Sequence, residues 1–313
     1  MRKGIRPRFW AVGAGLLLTG MTFAGLSACL LNAPYDKYAI VYGVADYEGT
    51  ANDLQYPDDD ALAMAAMLTD QGYQVIQRLD AAATRGNLET VDVPAVAAAA
   101  KEDDLFVFYF SGHGGFGGSG PEPAGSDPVT EWIFLCGSLS DSSQTFSDDQ
   151  LLAAFSPIRA RKKVIILDSC NSGGFIGNGL EADGIPQSLY EPGDSLGERI
   201  SRALNLYANF DGSSADIPPW EAIVLSASGE LESSYESPPL IPQYYHGVFT
   251  YYLLQADSQG DGNGDGYVTV TEAFDYARRM INRDWNRVNG IYGAAFSPHV
   301  SGGPVDYVLF EAR

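Results

Sequence analysis

Two residues able to do nucleophilic and acid–base chemistry stand in matching contexts. His113 follows the apolar run Phe106-Val-Phe-Tyr-Phe and precedes Gly114 and Gly115. Cys170 follows Val164-Ile-Ile-Leu-Asp and precedes Gly173 and Gly174. A buried strand that runs into a glycine-rich turn delivers its last side chain to a sheet edge. Two such strands, parallel in one sheet, deliver both side chains to the same edge. A thiol is a weak nucleophile until ionised, and a nearby imidazole promotes the thiolate and returns a proton to a leaving amine. His113 and Cys170 are therefore a candidate dyad for acyl transfer. The main-chain N–H groups of Gly114 and Cys170 are candidate oxyanion donors, since glycine lets a substrate approach the backbone.

Positioning these groups requires a sheet. Apolar, β-forming runs at 38–44, 73–79, 105–110, 131–136, 164–167, 222–227 and 307–310 predict strands. Helices are expected over 58–70, 94–101, 150–155, 248–256 and 273–285. Unbroken apolar strands alternating with helices imply an α/β fold, with a mostly parallel sheet covered on both faces. Segments 114–130 and 171–197, rich in Gly, Pro and Ser or acidic residues, read as loops after the strands that carry the dyad. Ligands of such sheets bind beyond the carboxyl ends of the strands.

Ser111-Gly-His113-Gly114 and Asp168-Ser-Cys170-Asn-Ser-Gly173-Gly174, with His preceding Cys by 57 positions, resemble the motifs of caspase-like cysteine peptidases. The metacaspase and bacterial caspase-like branch of the caspase–haemoglobinase fold (peptidase family C14) is the nearest in pattern. Asp59-Asp60-Ala61 and Gly247-Val-Phe-Thr-Tyr-Tyr-Leu-Leu254 extend the resemblance over residues 36–313. It implies a three-layer sandwich with a sheet of about six strands, and a cysteine endopeptidase. Asn171 departs from the His that many relatives carry there, outside the dyad. Asp168 and Asp60 match carboxylates that line the first specificity pocket of metacaspase-like enzymes. Two carboxylates facing one cavity favour an Arg or Lys side chain of a peptide or protein substrate. Self-cleavage between Cys170 and Ala222 is then expected after Arg199 or Arg202, the only basic residues in that stretch.

A second constellation lies late in the chain. Asp261-Gly-Asn263-Gly-Asp265-Gly266-Tyr267-Val-Thr269-Val-Thr-Glu272 places oxygen ligands at the EF-hand loop positions, with Gly at position 6 and Glu at 12. Tyr267 would contribute its carbonyl, and Thr269 would ligate directly or through water. Hard oxygen donors at this spacing suit Ca²⁺. The plain alternative is an acidic turn that caps the next helix through Thr271. No organic cofactor is expected.

The chain begins with Arg2, Lys3, Arg6 and Arg8, then runs uncharged from 9 to 28. Leu26-Ser-Ala-Cys29 resembles a bacterial lipobox, in which the Cys is lipidated and becomes the first mature residue. Residues 1–28 are thus expected to be a lipoprotein signal peptide, 29–35 a tether, and 36–313 the peptidase domain. An uncleaved membrane helix is the alternative. Either reading puts the domain outside the cytoplasm, held to the lipid bilayer of a bacterial cell envelope. With 40 acidic residues against 19 Lys and Arg and a net charge of −21, nucleic acid is excluded as a partner. Three cysteines in 313 residues exclude a disulfide scaffold. Cys136 is expected to be a buried free thiol, and His246 and His299 to be structural. A silent caspase-like domain acting as a Ca²⁺-binding scaffold is the competing function.

Overall fold

The computed structural model describes residues 35–116, 131–139, 141–169, 223–228, 234–236, 245–290, 295–301 and 306–313. Cys29, Cys170, Arg199, Arg202 and the expected loop at 171–197 lie outside them.

Six strands form the central sheet: β1 (Lys37–Gly43), β2 (Gln74–Leu79), β3 (Leu105–Gly112), β7 (Lys162–Ser169), β8 (Ile223–Ser226) and β10 (His299–Ser301). Their spatial order is β10-β8-β7-β3-β1-β2. All neighbours are parallel except β10, which runs antiparallel on the edge. The expected mostly parallel sheet is therefore present, and Tyr35–Arg313 fold as one unit.

Side chains alternate across a strand, so each strand feeds two cores. Ala39, Val41, Tyr109, Val164 and Ile166 face one side, with helices α1 (Pro57–Asp70), α4 (Val248–Leu254) and α5 (Val270–Met280). Ile40, Tyr42, Phe106, Phe108, Phe110 and Leu167 face the other, with helices α2 (Val93–Ala99) and α3 (Asp148–Phe155). Phe106, Phe108 and Phe110 have no exposed surface. Each such ring stabilises the fold by about 1.5–3 kcal/mol through its burial. Three layers result, as the resemblance implied.

Several expectations need correction. The helix read at 94–101 is the end of a longer helical run. It starts at Arg85–Asn87, where the Thr84 side chain accepts the Asn87 N–H, and continues as a wider turn over Leu88–Asp92. Buried Asp92 holds that turn, accepting from Tyr42 and from both arms of the Arg78 fork. The strand read at 131–136 is β5 (Glu131–Phe134), and it leaves the main sheet. It pairs antiparallel with β4 (Gly114–Phe116), at the start of what was expected to be loop, and with β6 (Thr145–Ser147). The strand read at 307–310 is β11 (Val308–Glu311). It too lies outside the main sheet, pairing with β9 (Tyr267–Thr269). The helix read at 273–285 begins earlier, at Val270, and continues beyond Met280 in the wider turns of Ile281–Asn286. Cys136 is a free thiol as expected, but it is only partly buried, with Sγ 3.5 Å from the Asp46 carbonyl.

Candidate active site

The strands that lead into the two motifs are adjacent. β3 pairs with β7 in a register that matches Ser111 with Asp168 and Gly112 with Ser169. His113 follows at the carboxyl end of β3. Cys170 follows β7 in sequence and lies outside the described residues. Gly112 has no room for a side chain. A Cβ there would lie 2.7 Å from the Tyr47 hydroxyl and 2.8 Å from the Phe110 ring.

Contacts on several sides fix His113. Its backbone N–H donates to the Tyr47 hydroxyl, which donates to the Phe134 carbonyl. The Tyr47 and His113 rings pack with centroids 4.7 Å apart. The imidazole Nε2 lies 2.8 Å from the Asn52 carbonyl. A carbonyl only accepts, so Nε2 carries the proton and Nδ1 is left as the basic nitrogen. Burial holds the imidazole pKa below its ordinary value. Below that edge, Gly114 pairs with Ile133. His113 with Phe134, one step away, is a hydrogen-bonded position, since the Phe134 N–H donates to the His113 carbonyl. Positions alternate in an antiparallel ladder, so the Gly114 N–H is turned away from β5.

Asp60 and Asp168 meet on one face of the sheet. Asp60, in the first turn of α1, is 1% exposed, and Asp168 is 5% exposed. Asp60 Oδ2 accepts from the Ser111 hydroxyl at 2.9 Å. Its Oδ1 lies 2.9 Å from His246 Nδ1 and 3.1 Å from the Gly247 N–H. Asp168 Oδ2 accepts from both the N–H and the hydroxyl of Thr250, at 3.0 and 2.6 Å. Asp168 Oδ1 has no hydrogen-bond partner among the described residues. Gly247 lies between the two acids. A Cβ there would stand 2.5 Å from Asp168 Oδ2 and 2.9 Å from Asp60 Oδ2. Burial raises both carboxyls, pushing Asp168 up to about 7 with the charge of Asp60 adding to the effect.

The sequence reading found Asp60 and Asp168 but assigned no role to Glu236. That carboxylate caps the turn before α1, accepting the N–H groups of Gln55 and Tyr56, while its backbone bridges to Gly247. Burial raises its pKa, with Asp60 and Asp58 adding to the rise. His246, expected to be structural, binds Asp60 directly. Its signal lay in adjacency to the Gly247-Val-Phe-Thr run. Asn52 and Tyr47 carried no sequence signal, because a main-chain acceptor and a lone tyrosine are common everywhere. His299 lies in edge strand β10, opposite Ser226.

Residues 36–294 match the family model of the caspase domain, peptidase C14. The chain belongs to this family. A caspase domain supports a cysteine-peptidase type of function in general. A crystal structure of protein GSU0716 from Geobacter sulfurreducens is similar in fold, at 21% identity and a TM-score of 0.54. The match covers 90% of this chain and 98% of that one. Caspase-1 from Spodoptera frugiperda is also similar in fold, with a TM-score of 0.56 at 10% identity, covering 90% and 94%. No curated protein matches the chain.

The loop at 261–272 folds on itself. Asp261 accepts N–H groups from Gly264, Asp265 and Gly266, Asn263 accepts from Asp265, and Asp265 accepts from Tyr267. Gly266 takes a φ of +88°, the left-handed turn that loop position 6 needs. The helix cap is Thr269, where the plain alternative had placed Thr271. Thr269 and Glu272 form a reciprocal capping box, with Glu272 Oε2 accepting from the Thr269 N–H and hydroxyl. Among the described residues, no three acidic, imidazole or thiol groups converge closely enough to hold an ion by themselves. The donors present are all hard oxygens, as Ca²⁺ requires. Among the described residues no helix is long and apolar enough to cross a membrane.

Proposed function

We propose that this protein is an extracytoplasmic cysteine endopeptidase, anchored through lipidated Cys29, that cuts after Arg or Lys with a His113–Cys170 dyad. The observation that carries the reading is the meeting of Asp60 and Asp168, with Glu236 beside Asp60, under the edge where β3 and β7 end in register.

The mechanism follows from the geometry of His113. Nε2–H stays on the Asn52 carbonyl, so Nδ1 takes the proton of the Cys170 thiol. The thiolate attacks the scissile carbonyl carbon, and the carbonyl π electrons move to oxygen. The Gly114 N–H, turned from its ladder, and the Cys170 N–H hold that oxyanion. Collapse breaks the C–N bond, and His113 returns its proton to the leaving amine. Water, deprotonated by the same nitrogen, then releases the acyl group. A lowered imidazole pKa keeps His113 neutral and ready as a base at neutral pH. The pocket acids pair with the substrate cation, which relieves the cost of burying them.

Ca²⁺ would be held by Asp261, Asn263, Asp265, Glu272 and the Tyr267 carbonyl, with Thr269 contributing directly or through water. When bound it supplies positive charge that fixes the loop. Thr269 already serves its helix as a cap, so its share in the ion is the smallest. Self-processing after Arg199 or Arg202 fits the same specificity.

The test uses the full-length chain in detergent, with fluorogenic peptides ending in Arg, Lys or Asp, in Ca²⁺ and in chelator. Cleavage after Arg or Lys that disappears in Cys170→Ala is the expected result. Cleavage after Asp overturns the pocket assignment. No cleavage by folded, Ca²⁺-loaded protein overturns the peptidase reading in favour of a silent binding module.

A further inference from the structure

We propose that His246 is a positioning residue that sets the preference of the acidic pocket for a planar guanidinium over an ammonium. The inference rests on the peptidase reading above and adds the residue that sets its specificity.

A carboxylate offers about four lone-pair sites. On Asp60, Oδ1 is filled by His246 Nδ1 and the Gly247 N–H. Oδ2 receives the Ser111 hydroxyl and only a longer, shared approach of the same Gly247 N–H at 3.2 Å. On Asp168, Oδ2 is filled by Thr250, and Oδ1 has no partner among the described residues. Among the described residues, the acceptors left for a substrate therefore belong to two different carboxylates. A guanidinium presents a rigid fork of N–H donors in one plane and spans two such acceptors. An ammonium is a compact charge that does better against two oxygens of one carboxylate. By occupying Oδ1, His246 denies it that arrangement and stops the Asp60 carboxylate from turning.

The backbone around His246 supports a built position. Tyr245 takes a φ of +48°, a left-handed conformation that a bulky residue adopts only when its surroundings impose it. Its ring stands edge-on to Tyr56 at 6.3 Å, and Gly247 on the other side is bridged to Glu236. Both neighbours of His246 are thus held, one by Tyr56 and the other by Glu236. The imidazole is 22% exposed, while the carboxylate it holds is 1% exposed.

The test compares full-length wild type with His246→Leu and His246→Asn on two peptides that differ only in Arg or Lys at the cleaved bond. Leu keeps bulk without a donor, whereas the Asn amide nitrogen falls where Nδ1 was. The expected result in the Leu variant is an Arg-over-Lys ratio of kcat/KM lowered about tenfold, the effect of one charge-assisted hydrogen bond. The loss appears in KM, with kcat held within about twofold, because the dyad is untouched. The Asn variant restores the ratio. A Leu variant that does not fold is replaced by His246→Gln, whose longer amide misses Oδ1 and is expected to lower the ratio in the same way. An unchanged ratio, a loss confined to kcat, or an Asn variant that behaves like Leu overturns the role of His246 while wild-type cleavage keeps the peptidase reading. Wild type that cleaves neither peptide overturns both.

Discussion

The acidic pocket joins Asp60 to His246 across 186 positions of chain. The acidic loop closes its own hydrogen bonds over spans of two to five. Both regions are made of carboxylates, yet their electrostatics point in opposite directions. Asp261 is partly exposed, and the N–H groups of its own turn hold its carboxyl below the usual range. Asp168 is sealed between strand and helix, and burial pushes it up to about 7. Local backbone donors stabilise negative charge without removing it from water, whereas tertiary packing removes the water and leaves charge costly. Asp261 thus stays ionised, while on the proposed function a cation entering the pocket would offset the cost of burying its acids.

Breaking the pocket side is expected to have the largest effect. Cys170→Ala should lower kcat by about 10⁴-fold or more in peptide assays, with the melting temperature unchanged. Asp60→Ala should lower kcat/KM for Arg peptides by about a hundredfold or more, because it leaves Asp168 alone to meet a buried cation. Loop variants should leave kcat/KM measured in saturating Ca²⁺ far less affected than this. A loop variant that matches the Asp60 loss would break the contrast.

A pH series sharpens it. A carboxyl at about 7 binds its proton below that value, and a neutral acid attracts a cation weakly. The kcat/KM for Arg peptides should therefore rise as pH increases through about 7, and Asp168→Asn should remove that limb. The same shift acts on stability. Asp168 is raised above its unfolded value, so its contribution favours folding at low pH and is lost as pH rises towards about 7. Asp168→Asn, whose amide oxygen still accepts from Thr250, should raise Tm at pH 8 by ~2–4 °C, roughly 1 kcal/mol for a domain of this size. A lowered Tm would show that the carboxylate stabilises the fold.

The loop gives a smaller effect of another kind. Wild type should melt higher in Ca²⁺ than in chelator, by ~2.7 kcal/mol at a hundred times the dissociation constant. Glu272→Ala should abolish that gain and also cost about 1 kcal/mol in chelator, through loss of the capping box. An undiminished gain would remove Glu272 from the ligand set. A further expected change is that of Tyr47→Phe, which leaves the His113 N–H without its acceptor. It should lower kcat about tenfold, with KM unchanged.

The same contrast explains what was legible in the sequence. The loop could be read residue by residue because its partners are its neighbours. β3 and β7 were legible because strands buried on both faces are apolar without interruption. Asp60 and Asp168 emerged only through resemblance, since no spacing rule brings a helix start and a strand end together. Glu236 was given no role, His246 was read as structural and Asn52 was missed for the same reason: each acts on a partner in another segment. β4 was read as loop because its glycines suggest a turn, and only pairing with β5 makes it a strand. β11 and β9 form a sheet of their own because a short apolar run does not say which neighbour it will find.

Gly247 gives the domain an evolutionary switch. Its φ of −53° and ψ of 140° suit any residue, so nothing in the backbone demands glycine there. What demands it is the space between Asp60 and Asp168, which one methyl group would invade. Glycine and alanine codons differ by a single nucleotide. On the proposed function, a lineage could therefore silence the pocket in one step while keeping the sheet, the helices and both signature motifs.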